Sequence, residues 1–330
     1  LSSLIIISCV SDGFSDVINY KLSGIDGHMR IRSYLSDEMD INASGIKAYP
    51  NYFPKISIRT NGLNTENGKI YPLGGISNIT TPLDNEGGFW AIYESDEHGF
   101  NNTKGLYKKN SVDIMLTGDS YTEGYSVHFD ENIAAVLRKL GFKAISLGKG
   151  DNGPLIELAA LKEYAEPLQP TIVLWMYNVS DSGDLSDEIW SPILQKYLND
   201  NEFSQNLISR QEEIDGVLIN YVQSKTKMER VVNNPAIRIL KLYNLRVMIN
   251  LTLTTTPTPT PTPTFIFRDI LQQSKQMVFG WGGKMYFVYL PTFGRYSLGN
   301  EHPNRDFVIQ TAAELDIPII DIHKEVFAPH

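Results

Sequence analysis

The pattern of apolar and polar positions changes character near residue 112. From there, short apolar runs alternate with stretches of helical period. Segments 112–117, 143–147, 171–177, 284–290 and 317–322 read as strands. The third of these is apolar almost throughout, as a strand covered on both faces should be. Segments 131–140, 154–165 and 305–315 read as helices. Gly141 follows the first in a position suited to a left-handed end, and Pro154 opens the second, where its missing N–H is not needed. Strands and helices in alternation predict a parallel sheet with right-handed crossovers, a three-layer α/β/α architecture.

The rhythm lapses in two places. Residues 185–275 are helical by pattern, with a charged stretch 195–213 and an apolar stretch 237–253. They read as a helical insertion in the α/β domain, acting as a lid or partner-docking element. It contains a Thr-Pro run at 254–264 that should extend as a polyproline II spacer. Residues 1–110 read as an extension that packs on the core, irregular and rich in short strands and turns, with a helical patch at 29–39. Its turn formers at 94–102 include His98 beside Asp96 and Glu97, a grouping that reads as a hydrogen-bonded turn before it reads as a metal or acid–base site. The α/β domain is thus divided into 111–184 and 276–330.

Composition narrows the class. Of 330 residues, 42% are hydrophobic and 11% aromatic, which suits a globular chain. The net charge of −9, with no basic cluster, argues against nucleic acid as a partner. A single cysteine, Cys9, leaves neither a disulfide framework nor a cysteine metal site, and no metal or cofactor is expected. The first ten residues are apolar but too short to span a bilayer. They read equally as a first strand or as the tail of a signal or membrane anchor, which leaves membrane proximity and the choice between cell envelope and cytoplasm open. The sequence does not speak to oligomeric state.

Candidate chemistry gathers at strand ends. The first strand stops at Gly118-Asp119-Ser120, the second at the glycine-rich loop 148–153, and the third at Asn178-Val179-Ser180-Asp181. In open α/β sheets the carboxyl edge is where ligands bind. A serine there becomes a nucleophile when a base and oxyanion donors surround it, and glycine-loop N–H groups and an amide side chain are suitable donors.

These blocks resemble the SGNH (GDSL-type) hydrolase family, in a bacterial subgroup that carries an N-terminal extension and is often associated with cell-surface polysaccharides. The resemblance implies an SGNH/flavodoxin-like fold and an ester hydrolase acting on O-acetyl or related acyl esters, of a small molecule or a glycan, through a Ser120 acyl-enzyme. It implies that Asp119 supports the nucleophile, that the Ser120, Gly150 and Asp151 N–H groups form the oxyanion hole, and that Asn178 adds a side-chain donor. The family usually has glycine at the position of Asp151, and its third block usually reads Gly-Asn-Asp-Leu. Its histidine and aspartate come from an Asp-x-x-His block after the last strand, which does not occur here by residue 330. Asp321, His323 and His330 are the local stand-ins, and the expectation is that the usual block lies beyond this segment, so that the segment alone is inactive. The rivals are a polysaccharide O-acetyltransferase, an inactive carbohydrate-binding or scaffold protein, and, more distantly, a nucleotide binder suggested by Gly148-x-Gly150-x-x-Gly153.

Overall fold

A computed structural model describes residues 49, 51–58, 60–83, 89–179, 181–232, 264–291, 295–296 and 302–328. The apolar start, the patch 29–39, the stretch 237–253, nearly all of the Thr-Pro run, Ser180 and His330 lie outside the described residues. In chain order the elements are β1 Leu63–Thr65, β2 Gly68–Ile70, β3 Thr80–Pro82, β4 Ile92–Glu94, β5 Ile114–Thr117, α1 Ser120–Glu123, α2 Ile133–Lys139 and β6 Ala144–Ser146. They continue with α3 Pro154–Ala160, β7 Ile172–Tyr177, α4 Asp181–Glu188, α5 Pro192–Asn199, α6 Gln211–Val232, α7 Thr264–Gly280, β8 Lys284–Tyr289, α8 Arg305–Glu314 and β9 Ile319–Asp321.

Five strands form a parallel sheet in the order β6-β5-β7-β8-β9. Side chains alternate across it with period two. Met115, Val173, Trp175 and Tyr177 enter one core, and Ile114, Leu116, Leu174 and Met176 the other. The first core is covered by α3, α5, α6, α7 and α8, and the second by α2 and the π-helical turn His323–Phe327. This is the expected three-layer α/β/α fold.

The segment read as an insertion is part of this architecture. Leu194, Tyr197 and Leu218 share one core cluster with Phe267, Ile270 and Leu271 of α7. The last of these helices is the crossover that returns the chain to β8, so the helical layer runs to Gly280 rather than ending at 275. The helical pattern read across 195–213 is interrupted between α5, which ends at Asn199, and α6, which begins at Gln211. Glu163 pins a turn there, accepting from Tyr197 Oη (2.5 Å), Ser204 Oγ (3.0 Å), Gln205 N (2.5 Å) and Leu207 N (2.8 Å). A buried carboxylate with four donors outweighs a weak local helical preference.

The N-terminal segment makes two small antiparallel pairs, β1–β2 and β3–β4, and places Tyr52, Tyr71 and Phe100 in the first core. The turn at 94–102 fastens it to the sheet. Asp96 accepts from the N–H groups of His98 (2.8 Å) and Phe100 (2.9 Å), from Asn102 Nδ2 (2.8 Å) and from Tyr107 Oη (2.8 Å). His98 packs edge-on against Tyr107, so the hydrogen-bonded-turn reading is the right one. The Asn102 amide both donates to Ser146 O (2.9 Å) and accepts from Ser146 N (2.8 Å).

Candidate active site

The sheet register places the strand-end loops. Thr117 on β5 pairs with Trp175 on β7, so the loops that carry Ser120 and Asn178 follow the same edge of the sheet. Neighbouring strands lie about 4.8 Å apart. On the other side of β5, Leu116 pairs with Ser146, and loop 148–153 follows directly. Ser120 is the first residue of α1, half-exposed, with Asp119 as N-cap accepting from Tyr121 N at 3.0 Å. The sequence reading put the next helix about ten residues later, whereas a single helical turn begins at the serine itself. Gly118 is required because a Cβ there would meet Met176 O at 2.9 Å on the adjoining strand.

The second loop packs hard on this turn. A Cβ on Gly148 would lie 2.5 Å from Glu123 N. Glu123, at the end of α1, is fully buried with Lys149, and the two are joined at 2.7 Å. The second carboxylate oxygen accepts from Gly150 N at 2.6 Å. That bond corrects the assignment of Gly150 as an oxyanion donor, since its N–H is already committed. Asp151 differs. Its φ is +60°, in the left-handed region, its side chain is exposed, and among the described residues no group accepts from its N–H. The nucleotide-binding alternative meets an obstacle in the same loop. The Gly153 and Leu155 N–H groups at the start of α3 donate to Glu188, at 2.6 and 2.8 Å. A carboxylate thus occupies the place where a phosphate would be held.

Asn178 is buried, and its backbone makes a reciprocal pair with Asp181, as in a capping box. Asn178 N donates to Asp181 Oδ2 (2.9 Å), and Asp181 N to Asn178 O (3.2 Å). Around them lies an acidic group that the sequence reading missed: Glu157, Asp181, Asp184 and Glu188, with Asp119 beside it. Among the described residues neither Glu157 oxygen has a partner, nor does Asp181 Oδ1. Burial, and then neighbouring carboxylates, push both Glu157 and Asp181 well above the usual range. Burial raises Glu188 to about 8 against its N–H donors, and Asp184 to about 6 against Lys55, which lies 2.5 Å from it. Glu157 stands alone in the apolar helical run Leu155-Ile-Glu-Leu-Ala-Ala-Leu161, so nothing in the sequence flagged that carboxyl.

The local stand-ins for a base lie elsewhere. Asp321 ends β9, three strand spacings from β5, or about 14 Å across the sheet. Asp321 pairs with Arg305, and His323 Nδ1 lies 3.0 Å from Tyr296 Oη. No hydrogen bond joins either to Ser120. Of the other described histidines, His98 sits in its turn, His128 stacks on Phe89 at 4.3 Å, and His302 Nδ1 lies 3.3 Å from Asn304 N. Among the described residues no group of three or more His, Cys, Asp or Glu side chains could hold a metal ion.

No protein-family model and no curated protein matches the sequence. Among solved structures, this chain is similar to the crystal structure of an acetyl xylan esterase, at 12% identity and a TM-score of 0.34, over 65% of this chain and 79% of that one.

Proposed function

We propose that this protein is a serine-dependent ester hydrolase acting on acyl esters, O-acetyl esters of carbohydrates in particular, with Ser120 as nucleophile. What supports the reading is that β6, β5 and β7 are parallel neighbours, so the loops that carry Asp151, Ser120 and Asn178 follow strand ends on one edge of the sheet. Ser120 Oγ adds to the ester carbonyl and gives its proton to a base. The Ser120 and Asp151 N–H groups, with the Asn178 amide, bear the oxyanion, each such donor contributing on the order of 3 kcal/mol. The alcohol leaves with the proton, and water then releases the acid from the acyl-enzyme. The reading takes its base from outside the described residues, His330 among them, since no hydrogen bond joins Ser120 to a described histidine.

Asp151 favours a second reading, an inactive SGNH-like carbohydrate-binding or scaffold protein, because an exposed carboxylate beside a developing oxyanion opposes it. Turnover of p-nitrophenyl acetate separates the two. Release of p-nitrophenol by the full-length protein that disappears in Ser120→Ala supports the esterase, and no release from the full-length protein supports the scaffold. Release accelerated by an added glycan acceptor identifies an O-acetyltransferase using the same acyl-enzyme.

A further inference from the structure

We infer that Glu123 is a positioning residue that sets the Gly150–Asp151 turn, and that Asn51 completes its hold, so that the N-terminal segment is a working part of the candidate site. The inference rests on the proposed function only in giving that turn a role in catalysis. Glu123 lies three residues after Ser120 on the same single-turn helix, so carboxylate and hydroxyl are fixed relative to one another. Its side chain and that of Lys149 are fully buried. One carboxylate oxygen takes Lys149 Nζ (2.7 Å) and Asn51 Nδ2 (2.9 Å), and the other takes Gly150 N (2.6 Å). Asn51 touches both ions, because its Oδ1 also accepts from Lys149 Nζ at 2.5 Å.

A buried ion with both oxygens occupied by charge-assisted bonds holds its partners to one geometry. The peptide after the captive Gly150 N–H carries the Asp151 N–H, so a shift at Glu123 is passed to the donor one residue on. Phe53, two residues after Asn51, closes the turn from outside. A Cβ on Gly150 would meet its ring at 2.6 Å.

The test compares wild type with Asn51→Ala and with the double variant Glu123→Gln/Lys149→Met, which removes both buried charges together and so avoids stranding one. Amide hydrogen exchange at Gly150 and Asp151, read by NMR, is set against that of β5, and kcat and KM for p-nitrophenyl acetate are measured in parallel. The expected result is Gly150 exchange at least ~10-fold faster in both variants with β5 unchanged, and kcat down by ~10–100-fold with little change in KM, in line with the cost of misplacing a catalytic group. Gly150 exchange equal to wild type would overturn the inference. So would a lower melting temperature with kcat per folded molecule unchanged, the mark of a merely structural pair. If the full-length wild type shows no turnover, the proposed function fails, and the exchange comparison alone decides the inference.

Discussion

Two buried groups of charge flank Ser120, and they are solved in opposite ways. On the side of the N-terminal segment, Glu123 meets Lys149 and every carboxylate oxygen is occupied. On the side of α3 and α4, Glu157 and Asp181 have acids for neighbours and oxygens without partners among the described residues. A buried carboxylate with a cation stays charged and directs N–H groups, whereas one surrounded by acids takes up a proton. The first arrangement fixes a loop. The second is a store of protons beneath the candidate site, sensitive to pH.

Lys149→Met should break the contrast most severely. It turns the balanced side into an unbalanced one, stranding Glu123 at a cost of about 3–5 kcal/mol in urea unfolding. Adding Glu123→Gln should recover most of that loss, and equal losses in the single and double variants would mean the pair is not what holds the loop. Asn102→Ala should cost about 2–3 kcal/mol, because Ser146 loses partners for both its N–H and its carbonyl.

Glu157→Gln probes the acidic side through pH. The folded-state pKa of Glu157 is raised above its ordinary 4.5, so the folded chain binds more protons than the unfolded chain above that value. Wild-type stability from this group is therefore full below the ordinary range and declines as pH rises toward the folded pKa. The glutamine variant should lack that part of the decline while matching wild type in mild acid. A urea midpoint that falls equally steeply with pH in both proteins would place the missing proton elsewhere.

Smaller effects are expected at the rim. Asp151→Gly keeps the left-handed φ without strain and should move stability by less than about 1 kcal/mol. It should raise p-nitrophenyl acetate turnover by removing the exposed carboxylate. A fall in turnover would instead make that carboxylate a participant. His323→Ala should change neither turnover nor stability by more than about 0.5 kcal/mol. A large loss of turnover would return His323 to the site.

The fold was legible in the sequence because parallel strands buried on both faces are written as unbroken apolar runs, as at 172–177. The edges of the site were legible as well, since Gly118 and Gly148 sit where any side chain would collide with a neighbouring strand or turn. What could not be read was the state of polar groups after burial. Nothing in Gly148-Lys149-Gly150 says that the lysine meets Glu123, 26 residues earlier, or that the carboxylate takes the glycine N–H. The acids of α3 and α4 likewise look like solvent-facing charges until the sheet and α7 enclose them. The run 195–213 misled for the same reason, as its break is dictated by Glu163, a residue on another element.

The bond pair between Asn102 and Ser146 has a consequence for the molecule among its neighbours. Strand β6 stands at the margin of the sheet, and an open margin is a template on which a second chain can add itself. Asn102 offers Ser146 a donor and an acceptor in the spacing another strand would use, so one side chain occupies part of that template. The turn that secures the N-terminal segment thereby also covers part of that edge.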